Sequence, residues 1–442
     1  MTSPADAVVL NRFLLGLAEG MTASDESVDR IRDTMATLAD AYGSTATDIV
    51  ILPTVILIET GGEEDRVSLR STLSAKFRFD QIAALYRLIE QAKTASVAPD
   101  QGIRRLNEIG AMRPRYGWAV RTLGHALLTL GLALMLAPTW QGAIIAFVLG
   151  AGIGLLKLVR SPTLQLVMPI VAAFVCATGV FLLAEVIDIG DPIHLLIAPL
   201  VTFLPGGVLT TATVELAAGQ MIAGASRLVY GFVQLALLAF GILAAGTLVG
   251  VDSADYEPLE GGGTVAWWVP LIGVLVFATG NYLHFSAPPS TFGWVLLVLA
   301  VAYAAQTIGG LVLGPTVSGF IGALAMTPVV LWIAGLRNGA PSQLTFLPAF
   351  WLLVPGAAGL VGLTEAVATD GGLADFTAAL VSVMSIALGV LIGTALYRVV
   401  HHGAEEIVQF AVALPVAHDT DTRSTFTQRV KRWWHRERGG NR

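Results

Sequence analysis

Two carboxylates, Glu215 and Glu365, stand inside long apolar stretches where a charge is costly. Each lies ten positions after a proline, in Pro205-Gly206-Gly207 and in Pro355-Gly356. Proline removes a backbone N–H and clashes with the preceding turn. Adjacent glycines let the backbone open further. In hydrocarbon, such a break persists only where protein or a water-filled cavity satisfies the freed groups. The half-helix starting after each break then offers free N–H donors and partial positive charge, which favour an anion such as the carboxylate of a small solute. The candidate binding set is Pro205, Gly206, Gly207, Thr210, Thr211, Glu215, Pro355, Gly356 and Glu365. Glu215, Glu365 and His125 are the proton-coupling candidates, since ionisable groups inside a membrane mark proton and substrate paths.

Each of these residues also has a plainer reading. Both Pro-Gly pairs could simply kink helices for packing, although matched pairs favour a shared site. The glutamates sit about 15 Å along a helix from the breaks, at about 1.5 Å per residue, so either could be solvated near an interface. Thr210, Thr211, Thr213 and Thr364 could bond their own helix backbones, and His125 could be a satisfied packing residue. Arg121, one turn from His125, is expected to snorkel to the surface. Asn281 is expected to bond a neighbouring helix.

The elements that must carry these residues follow from composition. The chain has 442 residues, 55% hydrophobic and only 13% charged, against roughly 25% charged in a soluble domain. Residues 1–117 hold 29 of the charged side chains and residues 401–442 hold 12, which leaves 17 for 118–400. None occurs between Glu260 and Arg337. That sparse region is read as backbone in lipid. A span needs about 20 mostly apolar residues, and ten windows qualify. They lie near 118–137, 141–159, 163–187, 192–217, 224–249, 268–287, 291–309, 313–337, 342–367 and 374–399.

If the chain alternates, Arg113, Arg115, Arg121, Lys157, Arg160, Arg227, Arg337 and Arg398 share one side. The other side carries Glu185, Asp188, Asp191, Asp252, Asp255, Glu257, Glu260, Asp370 and Asp375 and no Lys or Arg. The positive-inside rule then makes both termini cytoplasmic. Met1–Gly20 lacks the pattern of a cleaved signal peptide. Adding 150 to each of the first five spans lands on the second five, and the Pro-Gly and Glu positions shift by the same 150. Five is odd, so the halves enter the membrane in opposite directions, as a 5+5 inverted repeat.

The fold expectation is a polytopic α-helical membrane protein of ten transmembrane helices with an N-terminal cytoplasmic α+β domain. The boundaries are 1–115 for that domain, 116–250 and 265–402 for the two repeats, and 403–442 for a basic cytoplasmic tail. In the N-terminal domain, apolar periodicity predicts helices over 5–20 and 24–42. Residues 48–58 read as strand, turn and strand, with a third strand near 66–69 and helices near 78–94 and 99–110. The tail, with Trp433 and Trp434 among Arg429, Lys431, Arg432 and Arg436, suits an anionic leaflet or a disordered end.

Several function classes drop out. One cysteine, Cys176, excludes an intramolecular disulfide framework and a Cys-rich metal site. The net charge of -6 argues against nucleic acid. Residues 1–117 contain no histidine, no cysteine and no familiar hydrolase or nucleotide motif. No enzyme, metal or cofactor is therefore expected. The expected partners are a small solute, protons and the bilayer, and self-association is left open.

The segment Pro205-Gly206-Gly207-Val208-Leu209-Thr210-Thr211-Ala212-Thr213-Val214-Glu215-Leu216-Ala217-Ala218-Gly219-Gln220, running on to Ser226-Arg227-Leu228, resembles the bacterial threonine/serine exporter family. Leu15-Gly16-Leu17-Ala18-Glu19-Gly20 and the Ile51–Ile58 strands resemble that family's head. The resemblance implies export of small amino acids, threonine or serine, driven by the proton-motive force across a bacterial plasma membrane. Carried over by position, its motif residues here are Pro205, Gly206, Glu215, Gly219 and Arg227. Related two-chain proteins resemble dicarboxylate carriers, so a succinate-like solute is the alternative, with a membrane-anchored sensor or regulator behind it.

Overall fold

The computed structural model describes residues 4–44, 47–60, 66–71, 76–136, 139–159, 161–251, 266–353, 355–368 and 373–402. The chain divides into two units, Met1–Thr394 and Ala395–Arg442. The acidic loop residues 252–260 and the basic tail lie outside the described residues.

The head begins with α1 (Pro4–Thr22) and α2 (Val28–Ala41). Strands β1 (Thr47–Ile51), β2 (Val55–Thr60) and β3 (Arg66–Ser71) form one antiparallel sheet in the order β1-β2-β3. Then come α3 (Phe79–Lys93) and α4 (Pro99–Ala111). Strand alternation sorts the sheet's faces. Ile51, Ile56 and Ile58 are buried with Phe13, Leu14 and Leu17 of α1 and Ile31, Met35 and Leu38 of α2. Val50 and Leu69 point the other way and are exposed. The second helix starts later than its apolar period implies. Ser24 turns its hydroxyl back to the Gly20 carbonyl at 2.8 Å instead of capping forward. Asp25 takes a left-handed backbone (φ 59°), and Ser27 becomes the residue before the helix.

The apolar part is built of helices. They are α5 (Trp118–Met135), α6 (Trp140–Leu156), α7 (Pro162–Ala184), α8 (Pro192–Leu200), α9 (Gly206–Ala217) and α10 (Met221–Val249). After them come α11 (Val269–His284), α12 (Phe292–Leu313), α13 (Pro315–Gly335), α14 (Ser342–Leu353), α15 (Pro355–Ala368) and α16 (Leu373–His402). Among the described residues, six helices are long and apolar enough to cross a membrane, and a bent pair, α8 with α9, makes a seventh candidate. Three further apolar helices, α6, α11 and α14, are shorter. Large side chains such as Val148, Phe240 and Leu311 are exposed on these helices, as lipid-facing residues must be. The protein is a polytopic helical membrane protein.

Helices α5 and α11 make the closest seam. Gly124 and Gly131 on α5 face Gly280 and Gly273 on α11, each pair seven residues apart. A methyl group added at Gly280 would lie 2.7 Å from the Gly124 carbonyl, and one at Gly273 would lie 2.8 Å from that of Gly131. Lipid supplies no hydrophobic drive between helices, so such small-residue contact and dispersion hold them together.

Candidate functional site

The fourth apolar stretch is broken where Pro205 stands. Helix α8 tightens into a 3-10 turn, Val201–Phe203, and α9 restarts at Gly206 with a bend of 68°. Leu204, Pro205 and Gly206 are buried, so this break is inside protein. In the ninth stretch α14 ends at Leu353 and α15 starts at Pro355. The two stretches meet. Helix α9 packs on both α14 and α15, and α8 reaches α15. A methyl group at Gly207 would come within 3.7 Å of Phe350 and 3.9 Å of Leu347 on α14.

A break frees carbonyls as well as amides. Gln234 of α10 donates its side-chain amide to the Phe203 carbonyl at 2.8 Å. Gln306 of α12 stands 3.5 Å from the Leu353 carbonyl, a far weaker hydrogen bond. Phe203 and Leu353 are 150 positions apart. Lys157 holds its ammonium 4.5 Å over the Phe203 ring, a cation–π contact. His125 reaches the same turn. A carbonyl only accepts, so Nδ1 donates to Gly150 O at 2.8 Å and Nε2 is left to accept the Thr202 hydroxyl at 3.0 Å. The ring of His125 also meets that of His284 edge-on, 4.8 Å between centroids.

Thr210 is buried one turn into α9, and its hydroxyl has no hydrogen-bond partner among the described residues. Thr213 bonds its own helix at Leu209 O, and Thr364 bonds Leu360 O. Arg121 donates its Nε to the His284 carbonyl at the end of α11 at 3.3 Å. Asn281 bonds Phe277 of its own helix rather than a neighbour.

The two glutamates lie further along, on α9 and on α15. Glu215 is buried, 3.1 Å from Arg227 Nε, and accepts the Val28 amide at 3.0 Å. Val28 opens α2, so this carboxylate sits on a helix N-terminus supplied by the head. Beside it, Glu26 accepts from Gln343 of α14 at 2.7 Å and from the Tyr86 hydroxyl. Burial, and then the Glu26 charge, hold the Tyr86 pKa well above that of an exposed tyrosine, so the phenol keeps its proton. Glu365 is buried on α15, within electrostatic reach of His194, whose Nδ1 lies 2.8 Å from Asp191. Pro205, Gly206, Gly207 and Thr210 are therefore brought together with α14 and α15, whereas Glu215 is carried to the head. Pro355 and Gly356 open α15, and their burial and contacts lie outside what is described. Sequence reasoning missed Glu26, Gln343, Gln234 and His284. Only the two glutamines and His284 carried a signal, as polar residues inside apolar windows.

The sequence profile of the threonine/serine exporter family matches residues 12–249, from α1 to the end of α10. The chain belongs to that family. A protein of Mycobacterium tuberculosis described as a probable threonine/serine exporter is 25% identical over 408 residues, covering 88% of this chain and 77% of the relative. No solved structure gives a significant match. The family match takes in both the head and the first broken helix.

Proposed function

We propose that this chain is a secondary exporter of threonine and serine, coupled to the proton-motive force in a bacterial plasma membrane. Family membership suggests amino-acid export by a protein that is not an enzyme. The observation that carries the solute site is the buried break at Leu204–Pro205, with α9 starting inside the protein against α14 and α15. The free amides of Gly206–Val208, and of the matching start at Gly356–Ala358, would hold the solute carboxylate. The Thr210 hydroxyl, one turn further on, would meet the solute.

In this reading the chain crosses the membrane ten times as a 5+5 inverted repeat, with the head and both termini cytoplasmic. The packing supports it. The 150-mates α5 and α11 lie against each other, and α6 touches α8 as α12 touches α14. Glu215 then lies towards the cytoplasm and Glu365, beside His194, towards the outside. Each would carry protons at its own mouth, and neither would touch a solute held between the breaks.

Counterflow in proteoliposomes with a panel of amino acids and dicarboxylates tests the substrate. Threonine and serine exchange is expected. Succinate exchange without threonine exchange would make it a dicarboxylate carrier, and binding without exchange would make it a sensor. Glu215→Gln should abolish uphill efflux in a folded protein while counterflow continues. Uphill efflux at the native rate would reject the coupling role.

A further inference from the structure

The turn between α1 and α2 reaches out of the head and into both halves of the apolar part. Towards the first half, Val28 N bonds Glu215 at 3.0 Å, and Asp29 accepts from Gln220 at 2.7 Å. Arg227 uses both ends of its guanidinium, Nε on Glu215 at 3.1 Å and Nη2 on the Glu26 carbonyl at 3.0 Å. Towards the second half, the Glu26 carboxylate accepts from Gln343, the second residue of α14, at 2.7 Å. Glu26, Glu215 and Gln343 are all at most 8% exposed. Phe79, which opens α3, donates its amide to Phe285 O at 3.2 Å and stacks on the Phe285 ring.

The same turn is held firmly on the head side. Glu26 also accepts from Tyr86 of α3, and Arg30 lies 3.8 Å from it. A buried carboxylate keeps its charge only when partners replace its water. Glu26 draws its partners from the head and from α14, and Glu215 draws its own from the head and from α10. Parting the head from either helix would strand a buried charge, so these contacts would break together rather than one by one.

We infer that the head is a working part of the carrier, and that the turn Glu26–Asp29 latches the head-side mouth by tying α9 and α10 to α14. This rests on the reading of the two broken stretches as the moving parts. Alternating access moves one repeat against the other around a fixed site. One turn bonded to both repeats must release at least one of them in each cycle. Glu26 is therefore a positioning residue for transport, and its carboxylate need not meet the solute.

The test uses the full chain in a Cys176→Ala background. Glu26→Cys with Gln343→Cys is joined by a short reducible bis-methanethiosulfonate. Threonine counterflow is expected to fall at least tenfold on cross-linking and to return on reduction. Gln91→Cys with Arg105→Cys, a pair within the head, should cross-link without effect. Full counterflow through a quantitatively cross-linked 26–343 pair would overturn the latch and leave a fixed docking contact. If the unaltered protein exchanges no amino acid, the reading of function fails and alkylation of Gln343→Cys still decides the latch. Labelling should be slow in the otherwise intact chain and several-fold faster with Glu26→Ala. Equal rates would overturn the latch.

Discussion

Thr210 and Gln234 separate two kinds of polar residue at a broken helix. The Thr210 hydroxyl is buried without a hydrogen-bond partner among the described residues. Thr210→Val keeps the shape and removes only that group. It should leave the thermal midpoint within a degree or two and raise the KM for threonine severalfold; an unchanged KM would remove Thr210 from the site. Gln234 instead satisfies the Phe203 carbonyl. Gln234→Leu strands a buried acceptor, at a cost of about 1–3 kcal/mol. A midpoint lowered by several degrees is expected, and an unshifted one would mean that water replaces the amide. The sequence pointed to Thr210 because it follows Pro205-Gly206 on one helix. It could not pair Gln234 with Phe203, since 31 residues and the turn from α9 into α10 separate them. Glu215 shows the limit most clearly. Its position in an apolar stretch marked it as costly, but its partner Val28 is 187 residues away.

At the scale of elements, the break and the seam make opposite demands on the backbone. Pro205 leaves α9 without the amide that would continue α8. Pro205→Ala restores that amide, so the two pieces can straighten towards one span. The protein should still insert into the membrane, and counterflow should drop at least tenfold, a loss that transport assays on equal amounts of inserted protein would reveal. The α5–α11 seam needs the reverse, two unbroken helices in backbone contact. Gly280→Leu would drive a side chain into Leu128 and the Gly124 carbonyl, and overpacking of this kind costs about 1–3 kcal/mol or more. A lowered yield of folded protein and a lower melting point are expected, and native melting would show that the seam can open. The Pro205-Gly206 pair announces its break from local chemistry alone. Facing glycines on helices about 150 residues apart become readable only once the partner helix is known. Ser24 illustrates the same gap on a small scale, since its type suits a cap but its hydroxyl turns back to Gly20.

For the whole molecule, charge and hydropathy made the division into head and apolar part legible, while the number of crossings depends on the three short helices. Helix α11 has 16 residues, or about 24 Å at about 1.5 Å per residue, against about 30 Å of hydrocarbon. Length alone would leave it out. It nevertheless lies along the whole of α5, which is long enough to cross, and a helix packed that way shares its partner's depth. Two exposed positions decide the matter, Asp188 between α7 and α8 and Asn338 between α13 and α14. Five crossings separate them if α11 spans, and they face opposite sides. Four separate them if α11 does not, and they face the same side. In a Cys176→Ala background, Asp188→Cys should react with a membrane-impermeant maleimide added to intact cells, and Asn338→Cys should react only after lysis. Both reacting in intact cells would remove α11 from the count. The halves would then no longer match in number of crossings, and the inverted repeat would go with them. The opposite outcome would place Asn338 on the side of Arg337, where the basic residues put it, and α11 would count as a crossing.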